Sequence, residues 1–318
     1  MGKGEHEPVL LKEVLAALDV QSGDVVVDAT LGGAGHFAAL LARLGSGGVI
    51  VGIDADAAAV ERAREVYAAD RRAERPVAHL ICDNFRNLAR VLERLGIGKV
   101  DKILFDLGWS GYQLAEARGF SFQKDEPLLM NYGDVHEKTA AEVVNTYPEE
   151  ALADILHTYG EERFARRVAR AIVEQRRKER IFTTGALVAA VLVGTPAWYH
   201  ARKIHPATKT FQALRIEVND ELGALRAGLA AAQDALRPPG RLAVITFHSL
   251  EDRVVKTVLR DAAAAEQGTL TPRKPITPTR AEVLANRRAR SAKLRVFERA
   301  STLPYAAPSS GSALYCYA

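Results

Sequence analysis

The sequence predicts an α/β fold: a parallel sheet with helices on both faces, into which an all-helical segment is inserted. Three observations lead there. Short β-branched apolar runs alternate with helical stretches through roughly the first hundred residues, the pattern of strands joined by helical crossovers. These runs are almost continuously apolar, as strands are when both faces of their sheet are covered. The alternation breaks off near residue 110, gives way to helical character as far as about residue 193, and resumes at Thr208.

Residues 10–19 place apolar side chains at helical spacing. A strand in 25–30 (VVVDAT) runs into glycines, and a second lies in 47–56 (GGVIVGIDAD). A helix over Ala57–Ala69 leads to a third strand in 77–84. A helix over 85–95, ended by Gly96, leads to a fourth in 99–108 (KVDKILFDLG). Residues 111–133 mix glycines, aromatics and charges without a period, and ordered loops of that length are usually functional. Thr139 suits an N-cap, Pro148 a first-turn position and Gly160 a helix end. Phe164, Val168 and Ile172 recur every four residues as one apolar stripe. A long helix is expected over 208–236, stopped by Pro238, Pro239 and Gly240. A fifth strand in 241–249, a helix over 250–263, a polar connection over 266–290 and a closing strand in 292–300 follow. The sheet domain is therefore expected to comprise 1–112 with 206–300. Residues 113–205 form the inserted helical domain for substrate recognition, and 301–318 a flexible tail.

With 318 residues, 48% of them hydrophobic, the chain can bury a substantial core. Charged residues at 26% exclude a disordered composition. A net charge of +4 is compatible with a polyanionic partner without requiring one. Cys82 and Cys316 show neither metal-type spacing nor a disulfide framework. No apolar run approaches the length of a membrane span and no leader pattern is visible, so a cytoplasmic protein without membrane contact is expected.

The first strand runs into Asp28 and then LGGAGHF, where Gly32, Gly33 and Gly35 let the backbone approach a ligand at a helix start. Gly33, Gly35 and Ala38 also satisfy a dinucleotide pattern, and a tight turn with no ligand has the same composition. Asp28 separates these readings. A carboxylate beside the glycines repels a pyrophosphate but suits the ammonium of a zwitterionic ligand such as S-adenosylmethionine (SAM). Asp54, ending the second strand, can accept both hydroxyls of a ribose. Phe85 can flank an adenine or pack in the core. Asp28, Asp54, Asp83 and Asp106 end four successive strands, the edge at which open α/β sheets bind ligands.

The chain resembles the MraW/RsmH family of bacterial 16S rRNA cytosine-N4 methyltransferases. The resemblance is carried by HEPVLLKEVL (6–15), DATLGGAGH (28–36), GIDAD (52–56), FDLG (105–108) and RGFSF (118–122). It continues through YGEERFARRVARAIV (159–173), HPATKTFQALRIEVNDEL (205–222), GRLAVITFHSLEDRVVK (240–256) and NRRARSAKLRV (286–296). It implies a Rossmann-like class I SAM-dependent methyltransferase fold with an inserted helical domain. It also implies SAM as methyl donor and a cytidine in the decoding region of small-subunit rRNA as target. By position it assigns SAM contacts to Gly33, Ala34, Gly35, His36, Asp54, Phe85, Asp106 and Gln113, beside the Asp28 contact read from the residues. Two stretches depart from the family. DLGVSSPQLD is replaced by DLGWSGYQLA, and DGPLDMRMD by DEPLLMNYG (125–133), so Leu129 and Asn131 stand where an acid and an arginine are common.

Cytosine's exocyclic amine is a poor nucleophile because its lone pair is delocalised into the ring. Asp106 is the expected catalytic residue, accepting a hydrogen bond from that amine and orienting it toward the methyl group. Trp109 and Ser110 follow it and are expected at the substrate. Trp109, Tyr112, Phe120 and Phe122 can either stack on RNA bases or pack the loop onto the core. Arg163, Arg166, Arg167 and Arg170 are expected to form an RNA-binding stripe on one helix, with Glu162 pairing to Arg166. His36, His205 and His248 lack metal-ligand spacing, so no metal is expected. The 240–256 segment is expected to cap the fifth strand and shape the substrate pocket. The expected partner is 16S rRNA or the small ribosomal subunit, and a homodimer is left open. Alternatives are a related methyltransferase with another RNA or protein target, or a non-catalytic RNA-binding assembly protein that keeps a SAM site. An NAD(P) dehydrogenase fits least well.

Overall fold

The structure, a computed structural model, describes residues 8–108, 117–132 and 138–301. The strands are β1 (Val25–Asp28), β2 (Val49–Asp54), β3 (Val77–Cys82), β4 (Val100–Asp106), β5 (Leu236–Thr246), β6 (Gly268–Leu270) and β7 (Lys293–Arg299). They form one sheet in the order β3-β2-β1-β4-β5-β7-β6. β1 to β5 are parallel, and β7 runs antiparallel to both β5 and β6. The helices flanking the first four strands are α1 (Leu11–Leu18), α2 (Gly35–Leu41), α3 (Ala57–Ala69) and α4 (Leu88–Arg94). Then come α5 (Ala140–Thr146), α6 (Glu149–Thr158), α7 (Ala165–Lys178), α8 (Thr184–Gly194) and the single turn α9 (Ala197–His200). The chain returns to the sheet through α10 (Ala207–Asn219), α11 (Glu221–Ala235), α12 (Ser249–Ala264) and α13 (Arg280–Ala285).

Side chains alternate across a strand, so neighbouring residues feed two different cores. Val26, Ile50, Leu104 and Ile245 pack under α1, α2 and α3. Val27, Val51, Phe105 and Val244 pack under α4, α11 and α12. A third apolar cluster joins Phe120, Leu128 and Met130 to α5, α6, α7 and α8, and it takes in Ala207, Phe211 and Leu214 of α10. The α7 stripe holds: Val168 and Ile172 are buried there, with Phe164 packed against them. Thr139 caps α5 by accepting the Glu142 N–H. Phe120 and Phe122 resolve to packing. Phe120 is buried and stacks on Tyr132, and Phe122 lies against His205 and Phe211. Trp109 and Tyr112 lie outside the described residues.

Five expectations are corrected. The helix over 208–236 breaks at Asp220, which is left-handed (φ 45°) and is both the C-cap of α10 and the N-cap of α11. Aspartate tolerates that conformation. The break is held by Asn219, whose amide donates to the Met130 carbonyl and accepts the Tyr132 N–H. β5 starts at Leu236 rather than beyond the prolines. Leu236 pairs with Val100 and Arg241 with Lys102, so Arg237-Pro-Pro-Gly240 is accommodated as an irregularity in the ladder. The polar connection over 266–290 contains β6 and α13; three residues are too few to show a period. Arg163 precedes α7 instead of lying on it. Glu162 is buried, accepting from the Phe164 N–H and the Tyr199 hydroxyl, and is not the expected partner of Arg166.

Candidate active site

β1 lies between β2 and β4, so the connections leaving β1 and β4 diverge to opposite faces and open a crevice at their carboxyl ends. A cavity of about 470 Å³ fills it, a size suited to a cofactor with part of a substrate. Its walls are the segments leaving the strands: Ala29–Gly33 with Gly35 and His36 after β1, Asp54 and Ala55 after β2, and Asn84 and Phe85 after β3. Asp106, Leu107 and Gly108 follow β4, and Phe247, His248 and Glu251 follow β5. Two outlying segments close it: Tyr132 with Arg215, Asn219 and Glu221, and the turn carrying Arg287, Arg288 and Arg290.

Of the four strand-end acids, Asp54 and Asp106 reach this wall. Asp54 ties the glycine turn to the second strand, since Oδ2 accepts the Gly32 N–H and Oδ1 the Asp56 N–H. Burial pushes its pKa up to about 6 against the pull of those two donors. Asp28 lies beneath the wall, not on it, with 0% exposure. Its Oδ1 accepts the Thr30 N–H at 3.2 Å, while Oδ2 has no hydrogen-bond partner. Burial raises its pKa to about 7, opposed by His36 and the Thr30 N–H. Asp83 faces away, bound to Asn87 and paired with Arg90 at 3.1 Å.

His36 links the entrance of the chain to the catalytic edge. Its Nε2 lies 3.2 Å from the Val9 carbonyl and its Nδ1 3.2 Å from Asp106 Oδ2. Both partners can accept hydrogen bonds, and a protonated ring satisfies both contacts at once. Burial opposes that charge, but the Asp106 bond and the nearby carboxylates outweigh it and raise the His36 pKa. The other Asp106 oxygen, Oδ1, is buried without a hydrogen-bond partner. Gly33 and Gly35 line the cavity, and Ala34, buried and left-handed (φ 61°), turns the backbone between them. Phe85 meets Phe105 edge-on at 5.5 Å and presents the rest of its ring to the cavity. Trp109, Ser110 and Gln113 lie outside the described residues. Arg163, Arg166, Arg167 and Arg170 are exposed and line no part of the cavity. Arg163 and Arg167 flank the Phe164 ring, and Arg170 pairs with Glu149 at 3.5 Å.

Sequence reasoning missed a buried network in the opposite wall. Arg215 holds both oxygens of Glu221, Nε to Oε1 at 2.7 Å and Nη2 to Oε2 at 2.9 Å. Residues six apart on an unbroken helix face different ways, so the break at Asp220 is what brings this pair together. Tyr132, from the stretch that departs from the family, donates its hydroxyl to Glu221 at 2.9 Å. Glu251 and His248 form a reciprocal cap of α12, so the FHSLEDR stretch caps the helix after the fifth strand and also lines the cavity. Glu221, His248 and Glu251 bring ligand-type atoms within 4.8 Å of one another. The Arg215 guanidinium holds the Glu221 carboxylate of this group, and against the opposing effect of burial the His248 hydrogen bond and charge, with Arg215 behind them, keep the Glu251 pKa below its usual value. The only signal in the sequence was a charged Arg, Glu and His in otherwise apolar segments.

The donorless oxygen of Asp106, with Asp54 beside the glycine turn, fits a ligand that brings cationic and hydroxyl donors. SAM has both. This sheet order, with its glycine turn and acids at the switch point, is that of a class I SAM-dependent methyltransferase. Residues 3–300 match the model of the MraW methylase family. Ribosomal RNA small subunit methyltransferase H of Deinococcus radiodurans is 48% identical over 299 residues, covering 93% of this chain and 90% of its own. The protein of that name from Brevibacillus brevis is 42% identical over 315 residues, covering 92% and 98%. Among solved structures, an rRNA methylase from Streptococcus thermophilus covers 92% of both chains at 12% identity, with a TM-score of 0.41. The chain belongs to the MraW methylase family.

Proposed function

We propose that this chain transfers a methyl group from SAM to N4 of a cytidine in the decoding region of 16S rRNA, working in the cytoplasm on the small ribosomal subunit or its RNA. The observation that carries this reading is the pairing of Asp54 and Asp106 on the wall of one cavity, with Asp106 Oδ1 buried and lacking a donor. Asp54, the glycine turn and Phe85 would hold the adenosine, and Asp28 would act from below through its charge. When bound, SAM supplies a methyl group activated by its sulfonium. His36 fixes Asp106 by one oxygen and leaves the other to accept a hydrogen bond from the target amine, which turns the nitrogen lone pair toward the methyl, and the proton that the amine sheds on methylation passes to Asp106 or to water. No covalent intermediate on the chain is needed.

Residues 113–205 form the recognition domain in this reading, with Arg163, Arg166, Arg167 and Arg170 toward RNA. Trp198 supports it: it is 56% exposed and packs edge-on against Phe164, whose ring also carries Arg163 and Arg167, so an exposed indole on which a base can stack stands beside two cations. The test is Asp106→Ala. Its single-turnover methyl transfer to small subunits should fall by more than its SAM affinity does. Equal losses would make Asp106 a cofactor ligand only.

A further inference from the structure

Two stretches of the cavity lining carry opposite charge. Asp54 and Asp106 stand on the strand ends, and Arg287, Arg288 and Arg290 line it from a short 3-10 turn, Arg287–Ser291. The turn is rigidly placed. Ala289 and Ala292 are buried in the core beneath α1 to α3, and Asn286 caps the turn by accepting the Arg288 N–H. Just before it, Glu282 of α13 accepts the Leu10 N–H at 2.7 Å, tying this segment to the start of the chain. With Ala289 facing inward, the arginines on either side of it are left facing out.

Those arginines differ from their neighbours in one respect. Lys293 and Arg295 both pair with Asp252 at 2.8 Å, and Arg299 donates to the Gln233 carbonyl. Among the described residues, no carboxylate lies in ion-pair range of Arg287, Arg288 or Arg290, and partial burial lowers the Arg288 pKa. Three cations gathered without a counter-charge repel one another, and the arrangement is stable in function when an anion joins them. SAM, with two positive groups and one negative, is a poor candidate for that anion; a phosphodiester is a good one.

A second cavity of about 460 Å³ adjoins the first and shares Phe247, His248, Arg290 and Ser291 with it. Beyond that shared wall it is lined by Ser249, Thr277, Pro278, Val283, Ala292 and the Asp252-paired Lys293, a small and largely apolar surface with Arg290 at its edge. We propose that the Arg287–Ser291 turn holds the phosphates flanking the target nucleotide, with Arg290 between the two cavities, and that the second cavity takes the neighbouring nucleotide of the strand. This rests on the reading of the chain as an RNA methyltransferase. It assigns a binding site for a single RNA strand on the sheet domain itself, apart from the helical insertion.

The experiment compares wild type with Arg287→Gln, Arg288→Gln, Arg290→Gln, the triple variant and Arg290→Lys. Methyl transfer to purified small ribosomal subunits is followed at several salt concentrations, and SAM affinity is measured by calorimetry. Removing one arginine–phosphate interaction should lower kcat/KM for RNA by about tenfold. The triple variant should flatten its salt dependence by about two in log–log slope. SAM affinity should stay within about twofold, and Arg290→Lys should retain more activity than Arg290→Gln because it keeps the charge. Wild-type kcat/KM and salt slope in the triple variant would overturn the proposal. So would a loss of SAM affinity equal to the loss of activity, which would assign the turn to the cofactor's carboxylate. Should the triple variant fail to fold, the single variants and the lysine variant decide. Failure of the underlying reading looks different: wild type itself would then transfer no methyl to the subunit.

Discussion

Asp54 has two jobs that its environment makes compatible. Each of its oxygens already accepts one backbone N–H, which fixes the carboxylate, and each retains capacity for a ligand hydroxyl. Asp54→Ala should therefore weaken SAM binding by about 1.5–3 kcal/mol, roughly ten- to hundredfold, because it removes a charge-assisted hydrogen bond to the ribose. Calorimetry checks it, and unchanged affinity would contradict the site. Asp28 gives a pH signature. Its pKa rises from 3.8 to about 7 on folding, and that of Asp54 to about 6. The folded chain thus binds more protons than the unfolded chain between these values, so the stability from both groups is present below about pH 4 and is lost as pH rises through 6 and 7. Denaturation of the SAM-free protein should show lower stability at pH 8 than at pH 5. Asp28→Asn should flatten this difference by on the order of 1–3 kcal/mol. A wild-type profile that rises over that interval, or one that Asp28→Asn leaves unchanged, would be the wrong sign for a buried acid. The sequence revealed the acids as a set but not their depth. Strand-end position puts a carboxylate at the rim, and only the packing over β1 decides that Asp28 lies under it while Asp83 turns out to Arg90.

At the scale of elements, legibility followed period and length. α3 was readable to the residue because thirteen residues of amphipathic pattern sit between a strand and a loop, and Asp56 caps the start. The break at Asp220 was not, because helix-forming residues flank it and its cause lies in the Asn219 amide contacts to Met130 and Tyr132, nearly ninety residues away in sequence. The arginine turn hid inside a stretch whose composition reads as polar connection, since only the burial of Ala289 makes it a fixed platform. The arginines around α7 were visible, but their geometry was not. Arg163 precedes the helix, and Arg170 is partly satisfied by Glu149. The free charge therefore resides in Arg163, Arg166 and Arg167. Replacing these three by Gln should weaken binding to ribosomal RNA and flatten its salt dependence by about two in log–log slope. SAM affinity should not change. Wild-type RNA affinity and slope would reduce the stripe to a solvated face.

The whole molecule is organised around one switch point. The parallel strands end their apolar runs together, and the two covering layers leave a crevice where β1 and β4 part. The helical cluster is anchored to this edge from two sides. Asn219 and Tyr132 join it to the α10–α11 break, and Glu161 accepts from Ser249 and pairs with Arg253 of α12. The helical cluster is thereby tied to both sides of the cavity, the Arg215–Glu221 network and the helix that carries the His248–Glu251 cap. Among the described residues no helix is long and apolar enough to cross a membrane. In the proposed reaction SAM and one rRNA cytidine meet in this single cavity. The most direct measurement is nucleoside mass spectrometry of 16S rRNA after small subunits lacking the modification are incubated with the purified protein and methyl-labelled SAM. Labelled N4-methylcytidine is expected at a single decoding-region position, abolished or strongly reduced by Asp106→Ala. Label on cytosine C5, on another nucleoside, or on no nucleoside despite calorimetric SAM binding would contradict it.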